Sequence, residues 1–180
     1  MNASKTLLGT VIGTLLLLGS SQAMAVTTLK LSHNHNRDHA VHKAMSEMAK
    51  EVREKTSGEV VIRIYPDAQL GSQRASMELM QNGALDMVMS NAAELESFGA
   101  AYSVFNLPYL FRDKEHLFKV EEGDIGREIL NSTKVSGFVG LTYYDAGARS
   151  LYAKKPISSP SDLKGMKIRV QPSPSAIAMV

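Results

Sequence analysis

Short strand-like runs alternate with amphipathic helices along the first half of the chain. Strands are predicted at Thr28 to Ser32, Val60 to Tyr65 and Ala84 to Met89, and helices at Asp38 to Thr56 and Ser72 to Gln81. This alternation is typical of βαβ units, in which consecutive strands lie parallel and helices cover the sheet. We therefore predict an α/β fold with a mainly parallel sheet flanked by helices.

The second half of the chain continues the pattern with shorter elements. Phe98 to Phe111 is predicted to be irregular. Helices are expected at Asp113 to Val120 and Ile125 to Leu130, a helical turn at Ser161 to Lys164, and strands at Phe138 to Tyr143, Ser150 to Ala153 and Lys167 to Val170. About 155 residues after the first 25 are enough for one domain with a real core.

The N-terminus has the three parts of a secretory signal. Lys5 supplies a positive charge, Leu7 to Gly19 are apolar, and Ala23-Met24-Ala25 offers a small-residue cleavage site. The apolar stretch is shorter than the roughly 20 residues that a membrane-spanning helix needs. We predict that residues 1–25 are a cleaved signal peptide, with an uncleaved N-terminal anchor as the alternative.

Composition narrows the classes of partner. The 180 residues contain no cysteine and carry a formal net charge of +2. A chain without cysteine has no disulfides, no thiolate metal ligands and no cysteine for a lipid anchor. The small net charge provides no strong basic field, so nucleic acid is not an expected partner. An exported chain of this kind fits the bacterial periplasm, and we expect a monomer.

The C-terminus predicts a longer protein. Pro172-Ser173-Pro174-Ser175 is typical of a helix entry, and only the five apolar residues Ala176 to Val180 follow. A helix of this length bears the free-energy cost of nucleation but is too short to gain stability from added hydrogen-bonded turns. We therefore expect this sequence to be truncated.

Polar side chains follow most of the predicted strands, at the ends where open α/β sheets bind ligands. These residues are His33, Asn34, Ser90, Asn91, Tyr144 and Asp145, with Arg169 in the last predicted strand. A second arginine, Arg149, follows shortly after Asp145. Arginine presents a planar fork of donors that matches a carboxylate and stays charged at physiological pH. Hydroxyls, amides and two arginines predict a site for a small polyhydroxy acid.

The histidines between His33 and His42 admit a second interpretation. His35 and His39 are four residues apart, a spacing that can place two imidazoles on one metal ion. No cysteine or carboxylate completes a ligand set nearby, so solvated or helix-entry histidines are favoured, with His33 kept as a candidate ligand contact. We predict no cofactor and no bound metal. The acidic stretch Glu94 to Glu96 is interpreted as a solvated face.

A series of short motifs, in order from Leu29 to the last residue, resembles one protein family. Each motif is weak alone, whereas their order and spacing together are specific. They are Lys50 to Gly58, Val61 to Pro66, Gln69 to Gly71, Asn82 to Met87, Leu107 to Phe111 and Leu163 to Val170. The chain thereby resembles the solute-binding subunit of a tripartite ATP-independent periplasmic (TRAP) transporter, of the DctP family.

The resemblance implies a periplasmic-binding-protein architecture and a transport function. Such proteins have two α/β lobes joined by a hinge, close on a small organic acid and catalyse no reaction. They deliver the ligand to a membrane permease that is driven by an ion gradient. On this basis residues 26–150 would form the first lobe, and residues 151–180 would begin the second, which is incomplete here.

The resemblance also assigns roles to individual residues. Arg169 matches the arginine that forms a two-pronged salt bridge with the ligand carboxylate, and Arg149 matches a second, frequent ligand contact. Asn34 and Asn91 match positions that contact the ligand after the first and third strands. Tyr144 and Asp145 flank the cleft by analogy only.

The substrate class stays open between two kinds of acid. Asparagines at Asn34 and Asn91, rather than further arginines, suggest one carboxylate and several hydroxyls. A sugar acid such as a uronate or aldonate is therefore favoured over a C4-dicarboxylate. The alternative class is an exported enzyme acting on acidic sugars, with Asp145 and a histidine as acid and base. No nucleophile motif, phosphate-binding loop or dinucleotide fingerprint supports that alternative.

Overall fold

Three parallel strands form the sheet of this protein. The structure, a computed structural model, describes residues 25–145 and 147–180; the predicted signal peptide, except Ala25, lies outside the described residues. The strands are β1 (Thr27–Ser32), β2 (Val60–Tyr65) and β3 (Met87–Val88), in the order β2-β1-β3. Both neighbouring pairs are parallel, which confirms the α/β prediction.

Helices connect and cover these strands. They are α1 (Ala40–Lys55), α2 (Gln73–Gln81), α3 (Ala92–Leu95), α4 (Lys114–Glu122), α5 (Asp124–Ser132) and α6 (Pro174–Ala178). Three 3₁₀ helices span Ala100–Asn106, Thr133–Ser136 and Pro160–Leu163, the first of them inside the segment predicted to be irregular. Within the two described ranges, no helix combines the length and the apolar character needed to cross a membrane.

The core lies where α1 packs on the sheet. Leu31 of β1 is buried against Val41 and Met45 of α1, and Met45 is only 2% exposed. These two α1 residues belong to the apolar stripe that the helical spacing predicts. Burying a side chain of this size contributes about 1.5–3 kcal/mol. Tyr144 packs against the same cluster, which brings the segment after residue 143 close to the sheet.

Local sequence explains both ends of α1. At its start, Nδ1 of His39 accepts a hydrogen bond from the backbone N–H of Val41. At its end, Ser57 N–H donates to the carbonyl of Glu54 and Gly58 N–H donates to that of Arg53, the pair of bonds of a Schellman motif. Gly58 has φ +85°, a conformation that glycine adopts without strain. These contacts end α1 at Lys55, one residue before the predicted end at Thr56.

Three predicted strands are wrong. Residues 138–143, 150–153 and 167–170 have no regular secondary structure and form no ladder with another strand among the described residues. Residues 138–140 still alternate between half-buried and exposed, as in a strand. A strand requires a hydrogen-bonding neighbour as well as an alternating pattern. Here Gly140 N–H donates instead to the carbonyl of Leu130, at the end of α5. The strand predicted at 84–89 forms only at Met87–Val88.

Candidate functional site

A cavity of about 870 Å³ opens beside the carboxyl ends of β1 and β3. Five of the predicted site residues line it: Ser90, Asn91, Tyr144, Asp145 and Arg149. The remaining wall is mainly apolar and includes side chains of the sheet, α1, α2 and the segment 137–143. A mostly apolar cavity with a few convergent polar groups is the usual form of a small-molecule site.

Asn91 is held in place by a residue that the sequence did not single out. Oε1 of Gln73, the first residue of α2, accepts hydrogen bonds from the Asn91 backbone N–H at 2.6 Å and from Oγ of Ser90 at 3.2 Å. The Asn91 side chain precedes α3 but makes no capping hydrogen bond. Among the described residues its carboxamide makes no hydrogen bond, so it can contact a ligand while the backbone is held by Gln73.

Asp145 is paired with a lysine from another element. Nζ of Lys114, at the start of α4, lies 2.6 Å from Oδ2 of Asp145, and the Gly147 N–H donates to Oδ1 at 2.8 Å. The Lys114 hydrogen bond, with the Gly147 hydrogen bond second, holds the pKa of the Asp145 carboxyl below its usual range. An ionised, paired carboxylate is a poor general acid. The hydrogen bonds of Asp145 with Lys114 and Gly147 hold the segment that leads to Arg149 in place.

Arg149 is one of two cationic side chains in the cavity wall. It is exposed, and among the described residues it forms no ion pair with a carboxylate. The other cation in the cavity wall, Lys114, is engaged by Asp145. Nearby, Tyr143 donates its hydroxyl to the carbonyl of Gly126 at 2.7 Å, which fixes the wall against α5.

His33 is buried rather than solvated. It is 2% exposed, and its Nδ1 accepts from the His35 backbone N–H at 3.2 Å. Its Nε2 therefore carries the proton and donates to Nδ1 of His42 at 2.9 Å. The remaining His42 nitrogen lies 3.4 Å from Oγ of Ser46, whose hydroxyl donates to the His42 carbonyl. The hydrogen bonds therefore run in one direction, from His35 through His33 to His42 and Ser46 on α1.

This series of hydrogen bonds favours the neutral form of the His33 imidazole, because one ring nitrogen accepts and the other donates. Burial, with His42 and His35 as the next causes, lowers the pKa of His33 to about 4. Burial and then His39 also lower the pKa of His35. The rings of His35 and His39 stack with centroids 3.9 Å apart. Within the described ranges, no three metal-ligating side chains are grouped so that they could hold a metal ion.

Three predicted site residues lie outside the cavity wall. His33 is enclosed in the histidine network, whereas Asn34 and Arg169 are both exposed. Arg169 lies in a segment without regular secondary structure, after the turn at Gly165, whose φ is +76°. The cavity wall therefore includes Ser90, Asn91, Tyr144, Asp145 and Arg149 but not Arg169.

The residues that sequence reasoning missed act through long-range contacts. Gln73 and Lys114 each begin a helix and each hold a predicted site residue, 18 and 31 residues away along the chain. Neither carries a local motif. Their common signal is position: both side chains project from the first turn of a helix that follows a turn or loop.

Comparison with known proteins gives the family. The model of the DctP family, described as bacterial extracellular solute-binding protein, family 7, matches residues 31–180. The C4-dicarboxylate-binding periplasmic protein DctP of Rhodobacter capsulatus is 31% identical over 177 residues, which is 94% of this chain and 52% of that protein.

Solved structures agree in both sequence and shape. A TRAP periplasmic solute-binding protein of Xanthobacter autotrophicus Py2 with bound β-D-galacturonate is 42% identical, with a TM-score of 0.77 over 81% of this chain and 49% of that chain. A TRAP periplasmic solute-binding protein of Anaerococcus prevotii DSM 20548 with bound D-glucuronate is 39% identical, with a TM-score of 0.82 over 85% and 50%.

These matches cover nearly all of the described residues but only part of each relative. The chain spans about half the length of the curated relatives it matches. The relatives are transport proteins that bind solutes, and the enzymatic alternative finds no support among them. This chain belongs to the DctP family of bacterial extracellular solute-binding proteins, the binding proteins of TRAP transporters.

Proposed function

We propose that this chain is part of a periplasmic binding protein that captures a sugar acid and delivers it to a TRAP permease. Arg169 forms the main salt bridge with the ligand carboxylate, and Arg149 supplies a second contact. Asn91 and Asn34 contact hydroxyls, and His33, Tyr144 and Asp145 shape the site around them. The observation that carries the proposal is the cavity beside the strand ends, whose wall contains both Arg149, which has no acidic partner among the described residues, and Asn91, whose side chain makes no capping hydrogen bond.

The energetics require more than one contact. A hydrogen bond to a charged group contributes about 1.5–3 kcal/mol. Micromolar affinity corresponds to about 8 kcal/mol. One arginine therefore orients the ligand without supplying the whole affinity. Hydroxyl contacts and burial of the sugar ring on closure of two lobes supply the rest.

The charges of the cavity favour one ligand carboxylate over two. Asp145 and Glu121 both line the wall. Burial, followed by the charges of Asp145 and Glu122, raises the pKa of Glu121, so this side of the cavity already resists negative charge. A second ligand carboxylate placed there would meet like charges. The uronates bound in the two solved relatives agree with a ligand that has one carboxylate.

Export and lobe division belong to the same proposal. We infer that the signal peptide ends at Ala25 and that the periplasmic form begins at Val26. Residues 26–150 then form the first lobe and residues 151–180 begin the second. N-terminal sequencing of the protein from a periplasmic extract checks the cleavage site. A start at Met1 would contradict it.

A thermal-shift panel tests the ligand class. The full-length secreted protein is heated with D-galacturonate, D-glucuronate, D-gluconate, succinate, L-malate and neutral D-galactose. A ligand at about one hundred times its dissociation constant adds roughly 2.7 kcal/mol, which raises the melting temperature by several degrees. We expect a shift with one or more of the sugar acids and none with galactose. A shift with succinate or malate alone would refute the sugar acid, and no shift with any acid would refute the binding function.

A further inference from the structure

Glu96 makes the longest-range polar contacts at this end of the molecule. It directly follows α3, five residues after Asn91. Its Oε1 accepts hydrogen bonds from the backbone N–H of Ser175 at 3.1 Å and from the Ser175 hydroxyl at 2.8 Å, across 79 residues of sequence. Its Oε2 accepts from Nδ2 of Asn106 at 3.0 Å. The interpretation of Glu94 to Glu96 as a solvated face is therefore wrong for Glu96.

The carboxylate is held by neutral donors. Burial raises the pKa of Glu96, but hydrogen bonds from Ser175, Asn106 and Ser173 outweigh it and lower the pKa below its usual range. Glu96 forms no ion pair among the described residues, so donors rather than a cation stabilise its charge. Hydrogen bonds to an ionised acceptor are stronger than those between neutral groups.

Two of the three residues that donate to Glu96, Ser173 and Ser175, belong to the segment that carries Arg169. Ser173 is completely buried and caps α6 by accepting from the Ala176 N–H at 3.1 Å. Ala176 is itself buried, and α6 packs on the 3₁₀ helix Ala100–Asn106. Arg169 precedes Ser173 by four residues. Among the described residues, no backbone N–H of 167–172 donates a hydrogen bond to another element. The contacts of Glu96 with Ser173 and Ser175 thus hold the chain in place at the first point after Arg169 where it is anchored.

We propose that Glu96 is a positioning residue, which ties the Arg169 segment to the loop that carries Asn91. The inference rests on the proposed function and deepens it. Glu96 does not touch the ligand. It sets where Arg169 lies relative to Asn91. The affinity for the acid therefore depends on Glu96, although the negative charge of Glu96 by itself would repel an acidic ligand.

The test measures affinity and local opening in the same variants of the full-length protein. Glu96→Ala removes all acceptors, whereas Glu96→Gln keeps one oxygen for Ser175. Oδ1 of Asn106 is buried without a partner among the described residues, so the Asn106 amide can turn to accept from the new Gln side chain. We expect the affinity for the acid that the thermal-shift panel identifies to fall at least tenfold in Glu96→Ala, and Glu96→Gln to recover part of the loss.

Three controls isolate the positioning role. Ser175→Ala added to Glu96→Ala should cause little further loss, because both changes break the same contacts. Glu128→Ala, an exposed glutamate on α5, should leave the affinity within about twofold. Hydrogen exchange without ligand should speed up at residues 173–180 in Glu96→Ala. This readout works even if the wild-type protein binds no acid, which is the outcome that would refute the proposed function.

Two results would overturn the inference. One is unchanged exchange at residues 173–180 in Glu96→Ala, because the contact would then hold nothing in place. The other is wild-type affinity in Glu96→Ala while the wild-type protein binds its acid, because Arg169 would then not depend on Glu96. That second result would leave the proposed function standing.

Discussion

The buried histidine His33 predicts a specific loss of stability in mild acid. Its folded-state pKa is about 4, against 6.5 for an ordinary histidine. Between these two pKa values the unfolded chain binds a proton at His33 that the folded chain does not bind. The free energy of unfolding therefore falls as the pH drops from about 6.5 toward 4. The full difference is about 3 kcal/mol, of which about 2 kcal/mol is already lost at pH 5.

The charges around His33 come from several elements. His42 on α1 and His35 and His39 in the preceding loop disfavour its protonation, and Asp67 after β2 favours it. His33→Gln removes the titrating group. The Gln side chain can still accept from the His35 N–H and donate to His42, so the variant keeps a hydrogen-bonded core.

Urea unfolding of the full-length protein at pH 7.5 and pH 5.0 measures the effect. The wild type should lose about 2 kcal/mol more than His33→Gln over this interval. His116→Gln on α4, outside the network, should behave like the wild type. Equal losses in the wild type and His33→Gln would refute the claim that His33 is held neutral by burial.

Two further predictions concern packing between α4, α5 and the cavity wall. Gly126→Ala should destabilise the protein by about 1–3 kcal/mol in urea unfolding, because a Cβ there would overlap the backbone of Glu121; unchanged stability would contradict the close approach. Tyr143→Phe should cost about 1 kcal/mol by loss of the hydrogen bond to the Gly126 carbonyl. A stable Tyr143→Phe variant would mean that this bond does not brace the wall.

Local signals in the sequence predict the first half of the fold well. The β-branched run Val60–Tyr65 forms a strand with the predicted ends, and the stripe containing Val41 and Met45 becomes the buried face of α1. Ser72 caps α2 through its side chain. Each of these features depends on residues that are close to each other in the sequence, which is why sequence patterns are sufficient to predict them.

Predictions that depend on distant partners fare less well. The segment 138–143 has a strand pattern, but no pattern tells whether a neighbouring strand pairs with it. The position of His33 at a strand end was predicted, whereas its enclosure by His42 depends on how α1 turns back over β1. The contact between Glu96 and Ser175 spans 79 residues and has no local signature at either end.

The salt bridge between Arg169 and the ligand is the central claim, and titration calorimetry tests it most directly. Arg169→Ala and the control Arg53→Ala, an exposed arginine on α1, are compared with the wild type against the preferred acid. Loss of a charged hydrogen-bond pair should weaken binding by at least about a hundredfold in Arg169→Ala, with unchanged circular dichroism and normal affinity in Arg53→Ala. Wild-type affinity in Arg169→Ala would contradict the account.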